Sequence, residues 1–130
     1  MPTGYSGKPT WAKLGLKEGL RCLPLNAPGD YLALVDQPEG VSLVMTGPAE
    51  VVHLFCADIS VLEQEGVAAL DSVAEGGMLW ISWPKKSSKL FIDLTDDDLR
   101  RVMLPTGWVD VKVCAVSADW SGLKFLRRKR

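Results

Sequence analysis

Leu20-Arg21-Cys22-Leu23-Pro24-Leu25-Asn26-Ala27-Pro28-Gly29-Asp30-Tyr31 is the stretch that decides how this chain is read. Its first half, Leu20 to Leu25, is apolar and ends in turn residues, as expected of the opening strand of an α/β domain. Its second half is the turn. A dinucleotide-binding domain puts a glycine cluster there, because only glycine lets the backbone approach the ligand closely. Here the turn holds a single glycine and a proline that removes an N–H donor. The scaffold is that of a nucleotide-binding domain and the fingerprint is missing.

Working outward, Gly4 to Pro9 reads as part of a flexible lead-in over residues 1–10, followed by a short helix around Trp11 to Leu16. Tyr31 to Val35 is a brief helix stopped before Pro38. Val41 to Met45 and Val51 to Cys56 are apolar and β-branched, which predicts two more strands. Only Thr46 to Glu50 separates them, whereas a parallel crossover normally needs about ten residues. The pair is either a hairpin or is joined by an extended return with no helix.

Ser60-Val61-Leu62-Glu63 fits a capping box, and Leu62, Gly66, Leu70 and Val73 follow at helical spacing up to Gly76-Gly77. Met78 to Trp83 (M-L-W-I-S-W) is nearly continuous in apolar character, as in a strand covered on both faces. Thr95-Asp96-Asp97-Asp98 starts a helix with acids at its positive end and Arg100-Arg101 further along. Val109 to Val116 and Leu123 to Arg128 form a final antiparallel pair. Strands alternating with helices predict an α/β fold, a mostly parallel sheet of about six strands in one compact domain over residues 1–130.

Composition is that of an ordinary globular protein, 47% hydrophobic and 24% charged. No apolar run is long enough to span a bilayer and the N-terminus has no signal-peptide pattern, so no membrane partner is expected. Three widely spaced cysteines, Cys22, Cys56 and Cys114, read as free thiols in a cytoplasmic protein. One histidine and no C-x-x-C leave no metal constellation. The net charge of −1 conceals segregation: residues 22–84 hold nine acids and no lysine or arginine, whereas residues 1–21 and 85–130 carry +3 and +5. Such blocks either steer charged partners or meet one another in the fold.

L-N-A-P at Leu25 to Pro28, V-H-L-F at Val52 to Phe55, G-G-M-L-W-I-S-W-P-K-K at Gly76 to Lys86 and V-D-V-K-V-C-A-V with W-S-G-L-K-F between Val109 and Phe125 resemble small bacterial proteins of unknown function. Those proteins resemble a shortened class I methyltransferase. The resemblance covers nearly the whole chain and implies a Rossmann-like, methyltransferase-like sheet ending in an antiparallel hairpin. It implies no activity. Val44-Met45-Thr46-Gly47 also lacks the acid that would hold ribose hydroxyls, so no cofactor is expected and S-adenosylmethionine is disfavoured.

Ligands of open α/β sheets sit beyond the carboxyl ends of the strands. If the first, third and fourth strands are neighbours, that rim collects Asn26, Ala27, Cys56, Ala57, Asp58 and the loop Pro84-Lys85-Lys86-Ser87-Ser88. Asn26, Lys85, Lys86 and Ser87 are then candidate ligands for a small anion. The competing readings are a solvated basic loop after a greasy strand, and an Asn26 that caps the short helix. His53 reads as a satisfied, partly buried core residue rather than a general base, Cys56 as core, and Asp96 to Asp98 as helix chemistry rather than a metal site. No catalytic residue is assigned.

Trp80, Trp83, Trp108 and Trp120 offer stacking faces near Arg127, Arg128, Lys129 and Arg130, although core packing is the default for Trp80. Three functions remain. The first is a non-catalytic or degenerate methyltransferase-like binding or regulatory module with a protein or small-anion partner. The second is a small enzyme acting on an anionic metabolite or nucleotide, and the third a nucleic-acid accessory protein using the basic C-terminus.

Overall fold

The opening stretch forms strand and turn as read. The computed structural model describes residues 8–129, with α1 (Thr10–Leu14), β1 (Arg21–Leu25), α2 (Tyr31–Leu34), β2 (Ser42–Leu43), β3 (Ala49–Phe55), α3 (Ile59–Glu65), β4 (Val73–Pro84), α4 (Asp96–Met103), β5 (Trp108–Ala115) and β6 (Trp120–Arg127). Most of the expected lead-in, and Arg130, lie outside the described residues. The strands form one sheet in the order β2-β1-β3-β4-β6-β5. β1 to β4 pair in parallel, and β6 runs antiparallel to both β4 and β5. This is the mostly parallel, Rossmann-like sheet with a terminal hairpin that the sequence predicts.

The short link after β2 is an extended return. Leu43 and Val51 flank Cys22 from opposite sides, so β2 and β3 both pair with β1 and not with each other. Five residues suffice because β2 is only two residues long and meets only the start of β1; the chain need not travel the sheet before turning back. Val44 holds the return down, donating its N–H to Cys22 O and packing into the core. Pro24 is tolerated inside β1 for the same reason: β2 has already ended beside it, so no ladder bond is missing on that side.

Each sheet face has its own core. On one face α3, α4 and the 3-10 turn Ala68–Ser72 bring Leu62, Leu99, Met103 and Ala69 onto Val52, Leu54, Leu79 and Ile81. On the other, Leu14, Leu16, Tyr31 and Val35 cover Cys22, Val51, Phe55 and Trp80. Coverage on both sides is why M-L-W-I-S-W has no polar alternation. Trp80 is fully buried and its indole N–H reaches Leu14 O at 2.9 Å. Trp120 packs edge-on against Phe55, and Trp83 lies in the opposite core. Of the four tryptophans considered for stacking, these three are therefore core residues.

Of the boundaries that differ from expectation, two have a clear physical cause. The α3 cap is Asp58, whose carboxylate accepts from Val61 N at 3.0 Å; Ser60 lies inside the helix and instead accepts from Gln64. Asp carries a full charge to the positive helix end, which favours it over a serine two residues later. Gly76 and Gly77, read as the helix stop, lie within β4, which begins at Val73. While β3 advances from Ala49 to Val51, β4 advances from Val73 to Met78, so the glycines form a wide bulge. A Cβ on Gly77 would lie 2.6 Å from Glu50 O, so no other residue fits there unaltered. At Thr95 the expected capping chemistry is present: Asp98 accepts from Thr95 N and Oγ1 at 3.0 and 3.1 Å.

The sheet order also turns the charge blocks into geography. The acid-rich residues 22–84 build β1 to β4, and the basic C-terminal block supplies β5 and β6 on the far side.

Candidate functional site

β1 leads outward to β2 and, on its other side, neighbours β3 and then β4. The strand order therefore reverses between β1 and β3, and their carboxyl ends mark the crevice of an open α/β sheet. The first, third and fourth strands are neighbours, so the rim residues read from sequence do share one edge.

The polar groups at this switch point are bonded to one another. Asn26 sits at φ 60°, a left-handed conformation that asparagine tolerates better than most residues. Its amide donates to Glu65 Oε1 at 3.0 Å and to Phe55 O at 3.4 Å, bridging the ends of β1, β3 and α3. The expectation that Asn26 caps α2 is corrected: Asp30 does so, accepting from Leu32 N and Ala33 N. Asp30 wins because it immediately precedes the helix, at the position from which a side chain reaches those N–H groups. The start of α3 is equally occupied, with Val61 N on Asp58 and Ile59 N on Asp93 at 3.0 Å. Four backbone donors at these helix starts, those of Leu32, Ala33, Ile59 and Val61, thus already face Asp30, Asp93 and Asp58.

Cys56 ends β3 in this acidic ground. Burial, with Glu65 and Asp58 nearby, pushes its thiol up to about 12, so it is no nucleophile at neutral pH. Lys85, Lys86 and Ser87 leave β4 two strands from Asn26, about 10 Å by strand spacing. Lys85 is anchored through its backbone N–H to Asp119 O, and Ser88 Oγ bonds the Asp119 carboxylate at 2.8 Å. Among the described residues neither lysine has an ion pair. Three arginines, by contrast, are engaged: Arg100 binds Asp96 and Asp110, Arg101 pairs with Glu63 and Asp98, and Arg21 binds Glu50. Asp96 to Asp98 accordingly serve α4, and the described residues contain no metal-binding cluster.

Beneath the crevice lies a polar chain that sequence reasoning missed. Tyr31 Oη is 2.8 Å from His53 Nδ1, and His53 Nε2 is 2.7 Å from Ser82 Oγ. Cys22 Sγ donates to Tyr31 at 3.6 Å. All four residues are buried, His53 wholly and not partly as expected. Burial holds the imidazole down at about 3, so it is neutral at physiological pH. A neutral ring has one donor and one acceptor, which suits a chain running Cys22 to Tyr31 to Nδ1 and from Nε2–H to Ser82. The geometry resembles a relay, but with no solvent access it is a tie between α2, β3 and β4. Its parts lie 22 to 29 residues apart, beyond any local signal.

The opposite edge is open. A cavity of about 520 Å³ lies between α1 and the amino ends of the strands, lined by Trp11, Leu16, Leu20 and Met78. A second, of about 590 Å³, lies on the other sheet face between the 3-10 turn and the end of β6. Gly76 and Gly77 line both, so the bulge in β4 separates them.

No family model matches the sequence, and neither does any curated protein. Solved structures do match. A ribosomal protein L11 methylase from Lactobacillus delbrueckii subsp. bulgaricus aligns with a TM-score of 0.62 at 11% identity, over 91% of this chain and 74% of that one. A SAM-dependent methyltransferase from Aquifex aeolicus gives 0.60 at 14%, over 88% and 85%. Aeropyrum pernix fibrillarin, with natively bound S-adenosyl-L-methionine, gives 0.55 at 12%, over 90% and 73%. At such identities the likeness is one of fold, and the fold of this chain is that of the SAM-dependent methyltransferases.

Proposed function

We propose that this protein is a non-catalytic, degenerate relative of the methyltransferases, a binding or regulatory module. One observation carries the reading: the groups at the switch point are bonded to one another. Asn26 is tied to Glu65, Leu32 and Ala33 N–H of α2 are taken by Asp30, and Ile59 and Val61 N–H of α3 by Asp93 and Asp58. A cofactor carboxylate or phosphate would have to displace these acids and tolerate the charge of those it left behind. Glu65, the acid beside Asn26, already accepts from its amide. The absent glycine cluster in Asn26 to Asp30 points the same way.

Calorimetric titration of the full chain with S-adenosylmethionine and S-adenosylhomocysteine tests this. No heat of binding is expected with either at about 1 mM, and a dissociation constant in the micromolar range would overturn it. No methyl transfer is expected to any acceptor.

The second reading is a small anion held by Lys85, Lys86 and Ser87 with Asn26 across the rim, either as bound ligand or as substrate. Its support is the absence of acidic partners for the two lysines at the ligand-bearing edge of the fold. Saturable binding of phosphate or a phosphorylated metabolite, lost in Lys85→Ala/Lys86→Ala, would favour it. A partner taken up in a cytoplasmic setting belongs to the same proposal. Among the described residues no helix is long and apolar enough to cross a membrane.

A further inference from the structure

We infer that the larger cavity at the amino edge of the sheet is a binding site for one nucleotide unit, a base together with its phosphate. The site is distinct from the switch point and goes beyond the reading above. Trp108 opens β5 directly opposite Arg127 at the end of β6, and both line the cavity with Lys129. Trp108 is only half-buried, unlike Trp80, Trp83 and Trp120, so part of its indole remains available as a stacking surface.

Arg127 ends β6 and Lys129 follows two residues on, and both line the same cavity. Asp71 and Glu75 stand on the other wall, in the 3-10 turn and the first residues of β4, and both are exposed. Even so, neither Arg127 nor Lys129 pairs with an acid among the described residues. The cavity therefore sets an indole between two unpaired cations and two carboxylates.

A ligand that satisfies all three is flat and aromatic, anionic at one end and an amine donor at the other. A nucleobase stacks on indole without regard to sequence, and guanidinium and ammonium groups take the phosphate. The carboxylates accept from an exocyclic amine such as that of adenine. At about 590 Å³ the space lies within the range of small-ligand pockets. Leu70, Val73 and Leu126 supply the apolar floor. The same chemistry is offered by a free mononucleotide and by one residue of a single strand.

Nuclear magnetic resonance of the ¹⁵N-labelled full chain tests the inference. The protein has five tryptophans, and the indole N–H signal missing in Trp108→Phe identifies Trp108. Titration with adenosine 5′-monophosphate, and separately with single-stranded oligoadenylate, is expected to move that signal saturably and leave those of Trp80 and Trp83 in place. Arg127→Ala/Lys129→Ala, at exposed positions that leave the core intact, should weaken binding roughly tenfold or more. Lys85→Ala/Lys86→Ala should not. Equal affinity for monomer and oligomer would assign a free nucleotide, and much tighter binding of the oligomer a strand. A Trp108 signal that stays fixed with both probes at about 5 mM, or one that pyrophosphate alone moves as far, would overturn the inference.

Discussion

The two edges of this sheet have been treated in opposite ways. At the carboxyl ends of β1 and β3, where the fold ordinarily holds its ligand, Asn26, Asp30, Asp58, Glu65 and Asp93 hold one another and the helix starts. At the amino ends, two glycines in β4 push the strand out of register and leave a cavity on each face. The scaffold thus keeps its topology while offering two cavities at the amino ends of its strands. What the comparison teaches is that fold and site are separable within a single small sheet.

The largest expected effect tests how firmly the closed edge is founded. His53 is held near 3 in the folded chain against 6.5 when exposed, so the unfolded state takes up a proton first as the pH falls. Stability is then full above about 6.5 and declines down to about 3, by roughly 4–5 kcal/mol at about 1.4 kcal/mol per pH unit. Glu50, held at about 2 by Arg21, adds loss in the same direction only at the acid end. Urea unfolding at stepped pH measures the slope, and His53→Gln should flatten it between pH 6.5 and 4.5. A wild-type slope that survives the substitution would mean that His53 is not the group whose protonation sets it.

The open edge is broken by Gly77→Val. With Glu50 O at 2.6 Å and Ala74 O at 2.9 Å, both backbone atoms, the bulge must rebuild, at a cost of about 3 kcal/mol in a thermal or denaturant melt. Gly76→Ala is the control. Nothing lies within 4 Å of its Cβ, and its φ of 77° should cost only about 1–2 kcal/mol. Asn26→Ala sharpens the other side of the comparison, removing the bridge to Glu65 and Phe55 O for about 1–2 kcal/mol. Lys85→Ala/Lys86→Ala should change stability by no more than about 0.5 kcal/mol, since neither side chain is tied to the fold.

Much of the fold could be read from the chain because its signals were local. The apolar run Met78 to Trp83 could only be a doubly covered strand, and Thr95-Asp96-Asp97-Asp98 announced its helix by charge alone. The missing glycines after β1 drew attention to the turn at Asn26 to Asp30, which lies at the switch point. Elsewhere the deciding contact lay far along the chain. Gly76-Gly77 looks like a helix stop until Glu50 O is seen pressing on Gly77. Ser60 looks like a cap until Asp58, two residues earlier, takes the role. Neither His53 nor Ser82 hints at the other, because nothing in a strand's own pattern records which neighbour it will pair with. Of the rim residues, Asn26 was read as an anion ligand or a helix cap, and the partner it has, Glu65, stands 39 residues away.

The order of the strands has an electrical consequence. With nine acids and no lysine or arginine in residues 22–84, which build β1 to β4 and the segments between them, and eleven of the fifteen bases in residues 85–130, a chain of net charge −1 should carry a dipole moment across the sheet. Near its isoelectric point of about 5.8 it should still be retained by cation- and anion-exchange resins alike, each gripping a different flank. Near an anionic surface at low salt, the field would turn the molecule before contact, bringing Arg127, Arg128 and Lys129 forward. Long-range torque would then set the orientation of arrival, and short-range fit would only have to finish it.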